Sequence, residues 1–422
     1  MRTPLDDSTR GLLEEAQRCA RCGKCKSLCP LFARDPQEAS VARGKIALAQ
    51  DFLSGSLGPS RRLYEYIYSC LLCTRCRDVC PSGVDYVRLV HGVRAFLDDR
   101  RGVVSLSREV MRASLPRRAL LDLGLRLAQR FQKTASNVPL RHLPLFVLNR
   151  LPVPDLAPRT ALSAFAGVHG RDGRRPRVCL FLGCLINYVY PGIAEAFIDL
   201  ARRAGFEVVV PDRQLCCGAP ALSLGDTGLA RTLARRNLEV FLDGDYDHVV
   251  TACASCARVL MREYGGLLGP RFEPVAKRLR EATQFLVRFA PPFDGRIDET
   301  VTYHDPCHLY YALGIRSEPR ELLARHSRFV ELDAGGACCG LGGAFAAFFP
   351  DLARSIGSDR IRAAHRTGAA VVASACPGCI LQLSSCAAAL GLPIRAKHVL
   401  EIVREASYSS ETTEVPVALS TA

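Results

Sequence analysis

No stretch of about 18 consecutive apolar residues occurs in the 422-residue chain, so nothing in it reads as a helix that crosses a bilayer. The opening residues, Met1-Arg2-Thr3-Pro4-Leu5-Asp6-Asp7, lack the apolar segment of an export signal. The 56 lysines and arginines are scattered, and no helix-turn-helix or RNA-binding signature accompanies them, which argues against nucleic acid as a partner. A nucleotide fingerprint is missing too. The glycine-rich loop holding Gly335, Gly336, Gly340, Gly342 and Gly343 has Phe345 where G-x-G-x-x-G needs its last glycine. With 48% hydrophobic and 23% charged residues, the chain is globular rather than disordered. Its length leaves room for two or three domains with their own cores.

Cysteine is what the chain has in excess. Twenty of them in a long chain without an export signal indicate metal ligands in a reducing compartment rather than a disulfide framework. Eight fall in two identical runs. Cys19, Cys22, Cys25 and Cys29-Pro30 read C-x2-C-x2-C-x3-C-P, and Cys70, Cys73, Cys76 and Cys80-Pro81 repeat it. This is the run that holds [4Fe–4S] clusters in two-cluster ferredoxins. Three closely spaced thiolates cap three corners of a cube, and the fourth reaches the other cube. One cluster is therefore assigned to Cys19, Cys22, Cys25 and Cys80, and the second to Cys70, Cys73, Cys76 and Cys29. Structural zinc sites use four ligands in paired C-x2-C units and fit two such runs poorly. The net charge of +14 falls by about 4 once two such clusters are counted, and the remainder favours acidic partners or an anionic membrane surface.

Between the runs, Val41–Leu53 has the apolar spacing of a helix. Residues 100–175 carry no cysteine. Within them, Arg117–Phe131 reads as a basic amphipathic helix, suited to packing on its own protein or to lying on an anionic bilayer. Pro139, Pro144, Pro152, Pro154 and Pro158 then lead to a linker-like stretch, Gly170–Pro176.

From Val178 the chain is duplicated. Cys184, Cys216-Cys217 and Cys253-x2-Cys256 are spaced C-x31-CC-x35-C-x2-C, and Cys307, Cys338-Cys339 and Cys376-x2-Cys379 are spaced C-x30-CC-x36-C-x2-C. Short β-rich runs such as Glu207–Val210, His248–Thr251 and Thr300–Tyr303 alternate with helical patterns such as Leu229–Leu242 and Leu352–His365. This predicts βαβ units, a small parallel sheet in each half, and cysteines where strands end. Five thiols per half exceed what one cubane needs. A helix expected after each C-x2-C would stabilise thiolates with its N-terminal N–H groups, and glycines after the CC pairs allow close backbone approach to a cluster. Cys179 and Cys386 lie outside the pattern and read as core.

The duplicated C…CCG…C-x2-C pattern resembles the cysteine-rich CCG domain of heterodisulfide reductase subunits. Joined to an N-terminal two-cluster ferredoxin, it resembles the iron–sulfur subunits of glycolate oxidase and of FAD-linked D-lactate dehydrogenases. Supporting stretches are Cys80-Pro81-Ser82-Gly83-Val84, Gln214–Pro220 and Tyr303-His304-Asp305-Pro306-Cys307-His308-Leu309. The resemblance implies an α+β multidomain fold: a helical two-cluster ferredoxin domain over 1–100, a helical and proline-rich connector over 101–175, two duplicated α/β CCG domains with small parallel sheets over 176–295 and 296–405, and a disordered tail over 406–422. It implies two [4Fe–4S] clusters, one or two further noncubane clusters on the ten duplicated thiols, and no flavin in this chain.

By the same resemblance, the chain relays electrons from an FAD-binding dehydrogenase partner that oxidises glycolate or lactate toward the quinone pool or another membrane acceptor. It would sit in the cytoplasm, peripheral to the cytoplasmic face of the inner membrane. Without a flavin or nicotinamide motif it cannot oxidise a hydroxy acid alone. Because both C-x2-C pairs are complete, the resemblance to heterodisulfide reductase implies an alternative, in which the chain itself reduces a disulfide at a noncubane cluster. A third role, cluster storage in a scaffold, makes no use of a two-cluster relay.

Overall fold

The computed structural model describes residues 7–97, 103–135, 155–170, 176–332 and 335–409. In the first of these segments, helices Asp7–Gln17, Ala42–Leu53, Arg61–Tyr68 and Tyr86–Phe96 surround a core that includes Leu12, Ala16, Ile46, Ile67, Val90 and Val93. Polar caps fix two of the helix starts. Ser60 accepts from the Leu63 N–H and Asp85 from the Arg88 N–H, which satisfies donors that a helix start leaves free. Two four-residue helical turns, Cys25–Leu28 and Arg75–Asp78, carry the ends of the cysteine runs.

Helices Val103–Ser114 and Arg118–Ala135 come next. The second is the helix expected at Arg117–Phe131, and its two faces have different surroundings. On the inner face, Asp122 accepts from the Tyr188 hydroxyl at 2.7 Å and Gln129 donates to the Ala157 carbonyl at 3.0 Å. On the outer face, Leu120, Leu123 and Leu127 are each more than half exposed, as are Leu106 and Val110 on the preceding helix. Pro139, Pro144, Pro152 and Pro154 lie outside the described residues, as do 171–175 of the linker-like stretch.

Two sheets follow. The first contains β1 (Gly167–His169), β2 (Arg177–Leu180), β3 (Glu207–Val210), β4 (His248–Thr251) and β5 (Leu279–Glu281), in the order β1-β3-β2-β4-β5. The second contains β6 (Thr300–Tyr303), β7 (Arg328–Val330), β8 (Val371–Ser374) and β9 (Arg395–His398), in the order β7-β6-β8-β9. All pairings are parallel except β1 with β3. Setting β1 aside, the two halves have the same strand order, so the duplication seen in the cysteine spacing is a duplication of topology. Central strands such as β3 and β8 are buried at every residue, as parallel strands covered on both faces must be.

Three features differ from expectation. Strand β1 falls inside the stretch read as connector, where a three-residue edge strand has too little pattern to be seen. The closing helix runs Val399–Ser409, so the tail expected over 406–422 overlaps it at 406–409, and the remainder lies outside the described residues. Each C-x2-C lies at the start of a helix rather than before one: Cys253 and Cys376 are N-caps of Ala254–Arg258 and Pro377–Ala389, with Cys256 and Cys379 in the first turns.

A buried arginine joins the helical region to the first sheet region. Arg94 is 2% exposed. Its guanidinium donates to the carbonyls of Ile67, Tyr68, Cys70 and, at 2.7 Å, Ser223, and it lies 4.8 Å from the Tyr68 ring centre. Arg108 donates to the Leu224 carbonyl at 2.9 Å, as does the Tyr68 hydroxyl at 3.1 Å. Gly225 lets the two surfaces touch, because a Cβ there would lie 2.5 Å from the Arg94 carbonyl carbon. Arg94→Met keeps the apolar stem and strands these carbonyls. It should cost about 3 kcal/mol in a urea titration of anaerobically purified protein; a midpoint equal to wild type would show that the guanidinium is not the clamp.

Candidate metal centre

The two ferredoxin-like runs wrap their thiols by the same backbone device. Arg21 and Gly23 in the first run, and Leu72 and Thr74 at the corresponding places in the second, all have left-handed φ values between 53° and 81°. This curls each loop around its first three sulfurs. The fourth cysteine of each run is found with the other set. Cys19, Cys22, Cys25 and Cys80 line one cavity together with Cys76, while Cys29, Cys70, Cys73 and Cys76 line the next.

Backbone N–H groups point at sulfur here, Leu72 N lying 3.4 Å from Cys70 Sγ. Lys45 is a cation that spacing did not reveal. It is 1% exposed, lines the second cavity, and donates to Ser69 Oγ at 2.9 Å. Burial pulls its pKa down, while Cys70 and Cys29 pull it back up. A charge on the apolar face of Ala42–Leu53 was the signal available in the sequence.

The ten duplicated thiols form one unbroken run of neighbours: Cys184, Cys216, Cys217, Cys256, Cys253, Cys376, Cys379, Cys339, Cys338 and Cys307, each shifting the ionisation of the next. The halves meet at Cys253 and Cys376, and the Ala254 N–H donates to the Ala375 carbonyl beside them at 3.2 Å. Three sulfurs are favoured as thiolates. Donation from Cys216 and Cys256 holds Cys217 well below the ordinary thiol value. Donation from Cys253 and Cys379 does the same for Cys376. Cys338 and Cys379 hold Cys339 down at about 6.

After each CC pair a left-handed glycine turns the chain, Gly218 at φ 94° and Gly340 at φ 92°. The N–H groups of Ala219 and Leu341 then favour the Cys217 and Cys339 thiolates. Gly183 is required as well, since a Cβ there would lie 2.6 Å from Cys256 Sγ. Cys179 and Cys386 are buried in the core and stay out of this run.

This donor set fits iron–sulfur chemistry. All twenty cysteines are free thiols, and soft sulfur donors converge at the ends of parallel strands. Left bare, buried thiolates at this density would repel one another and carry a large desolvation cost. Bound iron would neutralise them.

The halves differ in what surrounds the sulfur. In the second, a ring nitrogen of fully buried His304 lies within 4.8 Å of the Cys339 and Cys379 sulfurs. Burial and the nearby Arg360 push His304 down to about 3, and Arg360 Nε donates to its Nδ1, so the proton of the neutral ring sits on Nε2. Its counterpart in the first half, 123 residues earlier, is Phe181. The sulfur series also continues outward. Cys73 of the second ferredoxin-like set feels the charge of Cys307, and Cys338 feels that of Cys73.

Known proteins are similar to this chain in sequence. Residues 178–261 and 301–384 each match the family model described as a cysteine-rich domain, and 15–84 match that of a 4Fe-4S dicluster domain. A probable glycolate oxidase iron-sulfur subunit of Bacillus subtilis is 28% identical, over 93% of this chain and 94% of that protein. One of the subunits of the dihydromethanophenazine:CoB–CoM heterodisulfide reductase of Methanosarcina barkeri is 27% identical, over 96% and 98%. Lactate utilization protein A of an Exiguobacterium species is 30% identical over 54% of this chain, which spans 98% of that protein. The chain belongs to this family of cysteine-rich iron–sulfur proteins. Like its relatives it is an iron–sulfur subunit of an oxidoreductase, with iron–sulfur clusters as its cofactors.

The Nε2 of His304 has no hydrogen-bond partner among the described residues, and its ring lies beside second-half sulfur, where a donor to a bound cluster would raise its potential. His304→Phe, which copies the first half, should lower the potential of one EPR signal in a redox titration. The signals lost in Cys19→Ser and Cys70→Ser should keep theirs. An unchanged set of potentials would mean that the ring does not act on sulfur.

Proposed function

We propose that the chain relays electrons from a flavin-bearing dehydrogenase partner, one that oxidises a 2-hydroxy acid such as glycolate or lactate, toward the quinone pool. The observation that carries this reading is the continuous order of sulfur sets. The set of Cys19, Cys22, Cys25 and Cys80 adjoins that of Cys29, Cys70, Cys73 and Cys76, since Cys76 lines both cavities. The second set adjoins the thiols of the second half through Cys73 and Cys307, and these meet the first half at Cys376 and Cys253. Clusters bound along this path would supply one-electron carriers; the residues hold them in order and exclude water. In this reading the two ferredoxin-type clusters are [4Fe–4S] and share ligands across the runs, and the ten remaining thiols hold one or two more.

The outward-facing Leu120, Leu123 and Leu127, on a helix that also exposes Arg126, support peripheral contact with a membrane or a membrane-bound acceptor. Among the described residues no helix is long and apolar enough to cross a membrane. A second reading, reduction of a disulfide by the chain itself, is favoured by one feature: Cys253 and Cys256 of the sulfur run line a cavity.

Three measurements test the proposal. Iron in anaerobically purified protein should exceed the roughly eight atoms of two [4Fe–4S] clusters and fall in Cys217→Ser and Cys339→Ser; about eight, unchanged in both variants, would refute clusters in the duplicated halves. Cys80→Ser should perturb the EPR signal that Cys19→Ser also perturbs; an effect confined to the Cys70→Ser signal would overturn the shared ligation. Cys339→Ser should abolish flavin-to-quinone electron transfer, whereas disulfide turnover by the wild-type chain with a reduced viologen dye would favour the second reading.

A further inference from the structure

We propose that a basic cavity along helix Arg118–Ala135 binds the phosphate headgroup of an anionic phospholipid. It rests on the peripheral contact included in the relay reading and names the lipid that this contact selects. The cavity has a volume of about 460 Å³, within the range of small-molecule sites. It lies between that helix and the residues from Leu156 to Ser163, with Tyr188 beside them. No cysteine is among its described lining residues, so its space belongs to none of the sulfur sets.

The charges in it do not balance. Arg118, Arg126, Arg130 and Arg159 line the cavity, against one acidic residue, Asp122. That carboxylate is already committed: its Oδ1 accepts from the Tyr188 hydroxyl at 2.7 Å, and its Oδ2 lies 3.4 Å from Arg118 Nε. Arg118 also donates to the Asp212 carbonyl. Arg159 donates to the Ser163 carbonyl at 3.1 Å, a bond that leaves its charge uncompensated. Arg126 has no hydrogen-bond or ion-pair partner among the described residues. A guanidinium fork matches two phosphate oxygens at once, and cations gathered in a concave wall concentrate anions there.

Helix geometry says which phosphate compound fits. Residues three apart are neighbours on a helix surface, so Arg126 stands beside Leu123, and Arg130 beside Leu127. These two arginines therefore border both the cavity and the stripe of Leu120, Leu123 and Leu127, each more than half exposed. Leu106 and Val110 of the preceding helix are exposed as well. A free phosphate would use the arginines and gain nothing from the leucines. An anionic phospholipid uses both, with its phosphate on the guanidinium groups and its acyl chains against the apolar stripe.

The test is co-sedimentation of the complete, anaerobically purified chain with phosphatidylcholine vesicles, with and without phosphatidylglycerol, at one ionic strength. Iron content is the control for folding. Wild type should bind the phosphatidylglycerol vesicles. The double variant Arg126→Gln/Arg159→Gln should bind them at least about tenfold more weakly, while Arg271→Gln/Arg366→Gln, which removes equal charge from exposed positions elsewhere, should change binding less than about twofold. Equal losses in the two double variants would make the attraction a diffuse property of a basic chain and overturn the cavity. Calorimetric titration with inorganic phosphate separates the two sources: phosphate binding that the cavity variant loses, without vesicle binding, overturns the lipid. Equal wild-type binding to both kinds of vesicle leaves the peripheral contact standing and sinks the headgroup site, whereas binding to neither sinks both. Reduction of the chain's EPR signals by the flavoprotein partner and its hydroxy acid, measured without lipid, tests the relay separately.

Discussion

A thiolate taken out of water loses solvation worth several kcal/mol, and neighbouring thiolates add mutual repulsion. This chain buries most of its thiols, those of the duplicated halves above all, and much of its architecture answers that cost. Loops at the ferredoxin-like runs are bent into left-handed conformations so that backbone N–H groups face sulfur. C-x2-C pairs sit in first helical turns, where free N–H groups and the helix dipole favour negative charge. Lys45 is held almost fully buried against the second set. Even the gathering of ten thiols follows the same rule, since the neighbouring thiols on either side favour the thiolate of Cys217, Cys339 and Cys376. Iron is the remaining counter-charge, and the fold is arranged to receive it.

The same constraint governs how the modules join. Sulfur sets that exchange electrons must be close, yet each lies in a loop that excludes water, so the surfaces between them have to touch without side chains in the way. Glycine provides the approach: a Cβ at Gly342 would lie 2.7 Å from Leu71 Cδ2, and one at Gly225 would meet the main chain at Arg94. Arginine then fills the polar gaps left by two facing sets of loop carbonyls. Arg94 and Arg108 supply donors to carbonyls on both sides, which a lysine, with one nitrogen, could not span. The closing helix and the strand before it tie the halves from the far side, with Arg404 reaching Glu195 at 2.9 Å and His398 Nε2 lying 2.9 Å from the Ala252 carbonyl.

Spacing made the thiols legible, because ligation by a short loop is local and leaves a fixed interval in the sequence. Strands Glu207–Val210, His248–Thr251 and Thr300–Tyr303 were legible for a similar reason: β-branched runs buried on both faces have few other places to go. Strands β5 and β9 were not, since Leu-Arg-Glu and Arg-Ala-Lys-His look like surface and are held by neighbours rather than by propensity. Which thiols of the two halves would meet was invisible too. The Cys253 to Cys376 contact depends on how two sheets face each other, and no interval in the chain encodes it. The buried cations escaped for the opposite reason. Lys45, Arg94 and Arg258 sit in helices whose composition suits solvent, and only their place on the apolar face betrays them.

Duplication left two halves with one topology and two environments. Around its thiols the second half has His304, Asp305 and His308, where the first has Phe181, Leu182 and Leu185. Asp305 is locked by Arg320 at 2.7 Å, and His308 reaches across to Ser255 of the first half, so the second half's polar groups are spent on holding the assembly together. The first half ties its thiol loop from within: Asn237 accepts from the Leu215 N–H at 2.8 Å and donates to the Cys216 carbonyl at 3.1 Å, and the Tyr264 hydroxyl donates to the Cys217 carbonyl at 3.2 Å. His308 also reaches the Leu72 carbonyl, so the second half is the one whose polar groups join it to its neighbours, while those of the first half brace its own loop. One topology thus carries two environments, because a buried polar group must find a partner and each half finds it in a different place.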